Sequence, residues 1–109
     1  MHVEIHDDHF HPAAADEEWL LEVGRRGWVV LTKDSRIRYR APALAAIRAS
    51  AVRLFVLTAG DLQGFEMAAI FGKALSRISR VATSQPAPFI ARVTKAGAVS
   101  VLLSARQLR

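Results

Sequence analysis

The chain has no cysteine. That excludes disulfides, a thiolate nucleophile and cysteine-ligated zinc, and it fits the reducing cytoplasm, where the protein is expected. No segment approaches the ~18 continuous apolar residues of a membrane span, so no membrane partner is expected. The first residues include Glu4, Asp7 and Asp8 in place of a basic stretch followed by an apolar run, so no signal peptide is read. There is no glycine-rich phosphate loop, and no spacing of Ser, His and Asp that suits a nucleophile–base triad. Acids are scarce beyond residue 34, where only Asp61 and Glu66 face twelve bases.

The first 34 residues have the opposite balance, with eight acids against three bases. An overall charge of +5 therefore hides an acidic segment inside a basic chain, the distribution expected of a protein that binds a polyanion around an acidic site. At 109 residues, half of them apolar, the chain is read as one domain over 1–109. Its core spans about 1–82 and its C-terminal hairpin about 88–103.

The most informative stretch is Trp28-Val29-Val30-Leu31-Thr32-Lys33-Asp34-Ser35-Arg36. Its apolar run does not alternate, which is the pattern of a short strand buried on both faces of a parallel sheet. Asp34 sits just past the strand's carboxyl end, the edge where open α/β sheets bind ligands. Arg36, Arg38 and Arg40 follow at once.

Around it the chain reads in order. Residues 2–5 form a short strand, and 6–12 a polar loop. Its three histidines and two aspartates lack a recognised zinc spacing. A helix opens at Asp16-Glu17-Glu18 and runs to about Arg25 with Trp19, Leu20 and Val23 on one face, and Gly24 and Gly27, bracketing Arg25-Arg26, end it. Ala41-Pro42 starts a second helix, to about Ser50, with Leu44 and Ile47 inward. Residues 52–58 form a strand ending at Ala59-Gly60-Asp61. A long helix follows to about Val81, with Met67, Phe71, Ala74, Leu75 and Ile78 as its apolar stripe and Lys73, Arg77 and Arg80 as its basic side. After a connector at 83–88, residues 89–94 and 98–103 form a hairpin around Lys95-Ala96-Gly97, and 104–109 a frayed basic tail.

This βαβαβ order places every strand's carboxyl end and every following helix's start on one edge of the sheet. Asp7, Asp8, Asp16, Glu17, Asp34 and Asp61 all fall there. Asp16 and Glu17 also suit a helix start, whereas Asp34 has no capping task. Clustered carboxylates repel unless a cation neutralises them, and oxygen ligands select Mg²⁺ or Mn²⁺. Such an ion would clamp a phosphodiester and activate water, while the neighbouring arginines hold the backbone.

Asp7-Asp8-His9-Phe10, Asp16-Glu17-Glu18-Trp19-Leu20 and residues 27–37 together resemble the PIN-like nuclease superfamily, in its VapC-type toxin branch. The likeness continues through Leu54-Phe55-Val56-Leu57-Thr58 to Pro86-Ala87-Pro88-Phe89-Ile90. It implies a three-layer α/β/α PIN-like fold with a mainly parallel sheet and a C-terminal β-hairpin. It also implies a Mg²⁺- or Mn²⁺-dependent endoribonuclease, the toxin of a toxin–antitoxin pair. On this resemblance Asp16 and Asp34 are the metal-binding and catalytic acids, with Glu17 beside them. Asp61, placed only by its position after a strand, is a further metal candidate, and Lys33, Arg36, Arg38 and Arg40 are RNA contacts. RNA and an antitoxin protein are the expected partners.

Proteins of this family usually begin with a further strand and helix, the strand carrying an aspartate of the metal site. This chain reads as starting at the second strand. Either that unit lies upstream of this sequence, or the protein is shortened by it. In the second case a metal ligand is lost and a sheet edge is open to self-association as a homo-oligomer. The alternative reading is a truncated, catalytically inactive module that binds RNA or an antitoxin.

Overall fold

Strands too apolar to tolerate water on either face set the layout. A computed structural model describes residues 2–6, 13–33, 39–58 and 64–108. The elements are β1 (Val3–His6), α1 (Ala13–Arg25), β2 (Val29–Thr32), α2 (Ala41–Ser50), β3 (Arg53–Leu57), α3 (Gly64–Ser84), β4 (Phe89–Val93), β5 (Val99–Leu103) and α4 (Ala105–Leu108). The strands form a mixed five-stranded sheet in the order β1-β2-β3-β4-β5. It is parallel from β1 to β4 and antiparallel between β4 and β5.

All four residues of β2 are buried, as are residues 54–57 of β3. Alternate side chains go to opposite faces, and each face meets helices. Val30, Leu54, Val56 and Ile90 pack with Leu20 and Val23 of α1 and with Ala43, Ala46 and Ile47 of α2. Val29, Leu31, Phe55, Leu57 and Phe89 pack with Ile70, Phe71, Ala74 and Ile78 of α3. Phe55 and Phe89 meet edge to face, with ring centroids 5.4 Å apart, an arrangement the ring quadrupoles favour. The expected α/β class with a mainly parallel sheet and C-terminal hairpin is therefore present.

One feature of the topology follows from these two cores. The parallel strands are laid down side by side in one direction, yet α1 and α2 cover one face and α3 the other. The β3–α3–β4 crossover accordingly has the opposite hand to the two before it, a departure from the single-handed habit of parallel crossovers.

Where α1 ends, two glycines have separate tasks. Helix α1 ends at Arg25 as expected, with Gly24 inside its last turn. Gly27 is the terminator, at φ 71°. Its N–H donates to the Gly24 carbonyl at 3.0 Å and the Trp28 N–H to the Val23 carbonyl at 3.0 Å, the paired bonds of a Schellman motif. Gly24 instead permits close packing of α1 on the end of α2. A Cβ there would lie 2.4 Å from the Ser50 carbonyl oxygen and 2.8 Å from Val52 Cγ2. Just beyond, the His2 and Trp28 rings stack at 3.9 Å, and the Arg26 guanidinium lies 4.9 Å from the Trp28 ring centroid. The Val29 N–H donates to the His2 carbonyl at 2.8 Å, which fixes the start of β1 to β2. The hydrogen bond from Arg26 Nε to Glu22 (2.6 Å) and the charge behind it hold the Glu22 carboxyl below its ordinary pKa.

Other expectations need correcting. His6 belongs to β1 and not to the following loop, the rest of which lies outside the described residues. Helix α1 starts at Ala13, so Asp16 lies inside the helix and does not cap it. Helix α3 continues to Ser84, where Thr83 returns its hydroxyl to the Ser79 carbonyl at 2.9 Å. Leu75 is 46% exposed, whereas Ile70, outside the expected stripe, is buried. In α2, Leu44 is only half-buried, and Ala43 and Ala46 join Ile47 in the core.

The largest revision concerns the C-terminus. Residues 105–108 are not a frayed tail but helix α4, with Leu108 only 1% exposed against the core shared by α1 and α2. The Ser104 N–H donates to Gln107 Oε1 (2.8 Å) and the Gln107 N–H to Ser104 Oγ (3.3 Å). This is a capping box, and its Ser-x-x-Gln spacing is visible in the sequence. Arg48 Nε of α2 donates to the Leu108 carbonyl at 2.6 Å, which holds the last turn in place.

Two substitutions test this packing by thermal and chemical unfolding. Gly24→Ala must push backbone against backbone and is expected to lose about 1–3 kcal/mol. Leu108→Ala is expected to lose about 2–5 kcal/mol, where a frayed tail would lose nothing measurable.

Candidate nucleic-acid interface

In a sheet whose strands β1 to β4 run parallel, the carboxyl ends share one edge, and each helix that leaves that edge begins there. Thr32 closes β2 at this edge and is completely buried, the one polar side chain among the described residues in that position. It lies in register with His6 of β1 and Val56 of β3, and it is not without a partner. A buried hydroxyl that lost its partner would cost about 1–3 kcal/mol, so the strand end is firmly placed.

Lys33 follows directly and is half-buried. Arg40 stands immediately before α2 in extended conformation, φ −90° and ψ 115°, and its carbonyl accepts the Leu44 N–H at 3.0 Å. Its side chain makes no capping hydrogen bond, and none is needed on the next amide but one, because Pro42 lies in the first turn. Both cations are half-buried and engaged in interactions. Tyr39 beside Arg40 is 73% exposed. Across β3, Thr58 donates its N–H to the Val93 carbonyl at 3.1 Å and continues the polar rim.

The expected site residues divide as follows. Asp16 and Glu17 lie in the first turns of α1, which starts from the carboxyl edge, and their side chains fall outside the described residues. Asp34, Arg36, Arg38 and Asp61 also lie outside them. Asp34 follows Lys33 in the chain, two positions after the last residue of β2. Lys33 and Arg40, at the two ends of the segment between β2 and α2, are both described, and both are at this edge. Among the described residues no group of three or more His, Asp or Glu side chains is placed to hold a metal ion. The donor set the sequence offers is all oxygen (Asp16, Glu17, Asp34 and Asp61), which suits a hard divalent cation and not zinc or copper.

One cation at this edge was not singled out from the sequence. Arg92 interrupts the apolar run Phe89-Ile90-Ala91-Arg92-Val93 and is exposed, while its four neighbours in β4 are buried. The break in an otherwise apolar strand was the available signal.

Lys33, Arg40 and Arg92 give the carboxyl edge of the parallel sheet a basic rim, and comparison with known proteins gives the chain a family. Residues 1–59 match the family described as a PIN like domain. This match covers more than half of the chain and includes Asp16, Glu17 and Asp34; the protein belongs to that family. Over 90 residues the chain is 30% identical to a protein of Mycobacterium tuberculosis named "Putative ribonuclease VapC45", covering 83% of this chain and 64% of that protein. The chain thus spans less than two thirds of that relative's length. No solved structure matches the chain. No helix among the described residues is long and apolar enough to cross a membrane.

Proposed function

We propose that the protein is a metal-dependent endoribonuclease of the PIN-like toxin type. The observation that carries this reading is the family match over residues 1–59, which contains both acids, Asp16 and Asp34, whose chain positions adjoin one sheet edge. The relative named as a ribonuclease supports it at 30% identity. On this reading residues 1–109 are one PIN-like domain with a three-layer α/β/α arrangement. Asp16 and Asp34 hold Mg²⁺ or Mn²⁺, with Glu17 adjacent and Asp61 as a further ligand.

Bound there, the ion supplies Lewis-acid polarisation of the phosphodiester and an acidified water. The remaining work falls to the chain. Lys33 and Arg40 neutralise phosphate charge at the rim, with Arg36 and Arg38 between them in sequence. The buried Thr32 fixes the strand end from which Asp34 departs. Single-stranded or looped RNA is the substrate, because its bases can be splayed beside a small site. An antitoxin protein is the partner that would restrain the activity in the cytoplasm.

The test is cleavage of a mixed RNA pool in Mn²⁺ and in EDTA by the wild type and Asp34→Ala. The expected outcome is metal-dependent cleavage that falls by about 100-fold or more in the variant, since loss of a direct ligand exceeds the cost of losing an outer-shell partner. Without metal the variant should melt no lower than the wild type, because one repelling carboxylate has gone. Cleavage indifferent to EDTA or to Asp34→Ala would overturn the reading. A folded chain that binds RNA without cutting it would favour the inactive binding module.

A further inference from the structure

Arginine is an unfavourable choice for the position that Arg92 occupies. Strand β4 lies inside the sheet, paired with β3 on one side and β5 on the other, and its other four residues are buried. Arg92 shares a face with Ile90, whose register partner is Leu54, and lies opposite Val56, both of them covered by the α1–α2 layer. On that face Val56 is 1% exposed and Thr32 is completely buried, yet Arg92 is exposed. The helical cover therefore stops between β3 and β4 at the carboxyl edge. Its backbone pairs within the sheet, but among the described residues the Arg92 side chain makes no hydrogen bond or ion pair. It adds no bond to this fold, and a Val or Thr would suit the strand better.

Its surroundings point outward. Thr32, Val56 and Arg92 stand in one register row, so Arg92 lies two strand spacings, about 9.6 Å, from the end of β2. Opposite it on β5 is Ser100, also exposed. Two residues beyond the end of β4, in the turn, is the exposed Lys95. The hairpin is held against α3 by the bond from Arg77 Nη1 to the Gly97 carbonyl at 3.0 Å, so this surface is supported from below. Lys33, Arg40, Arg92 and Lys95 then mark a cationic line from β2 across the sheet's edge to the hairpin.

We propose that Arg92 binds a backbone phosphate of single-stranded RNA, extending beyond residues 1–59 the basic track that begins at Lys33 and Arg40. The inference rests on the ribonuclease reading above and adds to it the path of the substrate. A planar guanidinium with paired donors suits a phosphate oxygen pair, and an exposed one loses little hydration in binding it.

The test measures binding of a fluorescent mixed-sequence single-stranded RNA to the full chain in EDTA, over a series of salt concentrations. Wild type is compared with Arg92→Ala, Arg92→Lys and, as a charge-matched control near the opposite edge, Arg80→Ala. Because Arg92 is exposed and unbonded, all four proteins should melt together. The expected result is that Arg92→Ala weakens binding about tenfold and lowers the slope of log affinity against log salt by about 0.7, the contribution of one phosphate contact on a single strand. Arg92→Lys should keep the slope, and Arg80→Ala should keep both slope and affinity. Wild-type binding that Arg92→Ala leaves unchanged, or that Arg80→Ala weakens equally, overturns the inference and leaves the ribonuclease reading standing. A wild type that binds no RNA overturns both.

Discussion

The structure depends on burying β2 and β3 on both faces at once. A strand covered on one face can alternate apolar and polar residues, but these two cannot, and so they require helices above and below. The α1–α2 pair and α3 supply that cover. Each meets its own half of the alternating side chains, Val30, Leu54 and Val56 on one face and Val29, Phe55 and Leu57 on the other. The close seat of Gly24 against Ser50 follows from the same need, since α1 and α2 must lie side by side over a narrow sheet. So does the short helix α4, whose Leu108 completes the cover over Ile90.

That arrangement also fixes where chemistry can occur. Parallel strands put their carboxyl ends together, and helices that cover both faces must begin from that edge. Polar groups excluded from the core accumulate there: Thr32 and Lys33 after β2, Arg40 before α2, Thr58 after β3. The charge asymmetry of the sequence becomes intelligible in the same terms. The acid-rich first third of the sequence includes α1 and runs through β2 to Asp34, while the basic remainder supplies Arg40, Arg92 and Lys95. A polyanion would be drawn to that basic rim, an attraction that should weaken with salt.

How much of this was legible in the sequence varied with the range of the signal. The buried strands were legible because an unbroken Val-Val-Leu or Leu-Phe-Val-Leu run admits few other environments. The hairpin was legible from Gly97, which adopts φ 88° in its turn. Local chemistry fell short where tertiary contact decided the outcome. Gly24 resembles a helix terminator, but its neighbour in space is Ser50, 26 positions away in the chain, and nothing local announces that. Leu75 fits the apolar stripe of α3 by spacing, yet the face that meets the sheet is Ile70, Phe71, Ala74 and Ile78, and Leu75 is left exposed. The tail at 104–109 was misjudged for a different reason. Its capping box was present in sequence, but four residues fold as a helix only when Leu108 has a core to enter. At the site, Lys33 and Arg40 were legible from their place around Asp34. Arg92 was not, because its meaning depends on register with Thr32 across an intervening strand.

The central claim is that the carboxyl edge of the parallel sheet is the metal and substrate edge. The most direct measurement is paramagnetic broadening of backbone amide resonances during titration with Mn²⁺, read along both ends of every strand. The account predicts early broadening at Thr32, Lys33 and Thr58 and in the first turns of α1, with the amides of Gly27, Val29 and Arg53 at the opposite edge unaffected. Broadening centred on that opposite edge, or spread evenly over the molecule, would contradict it.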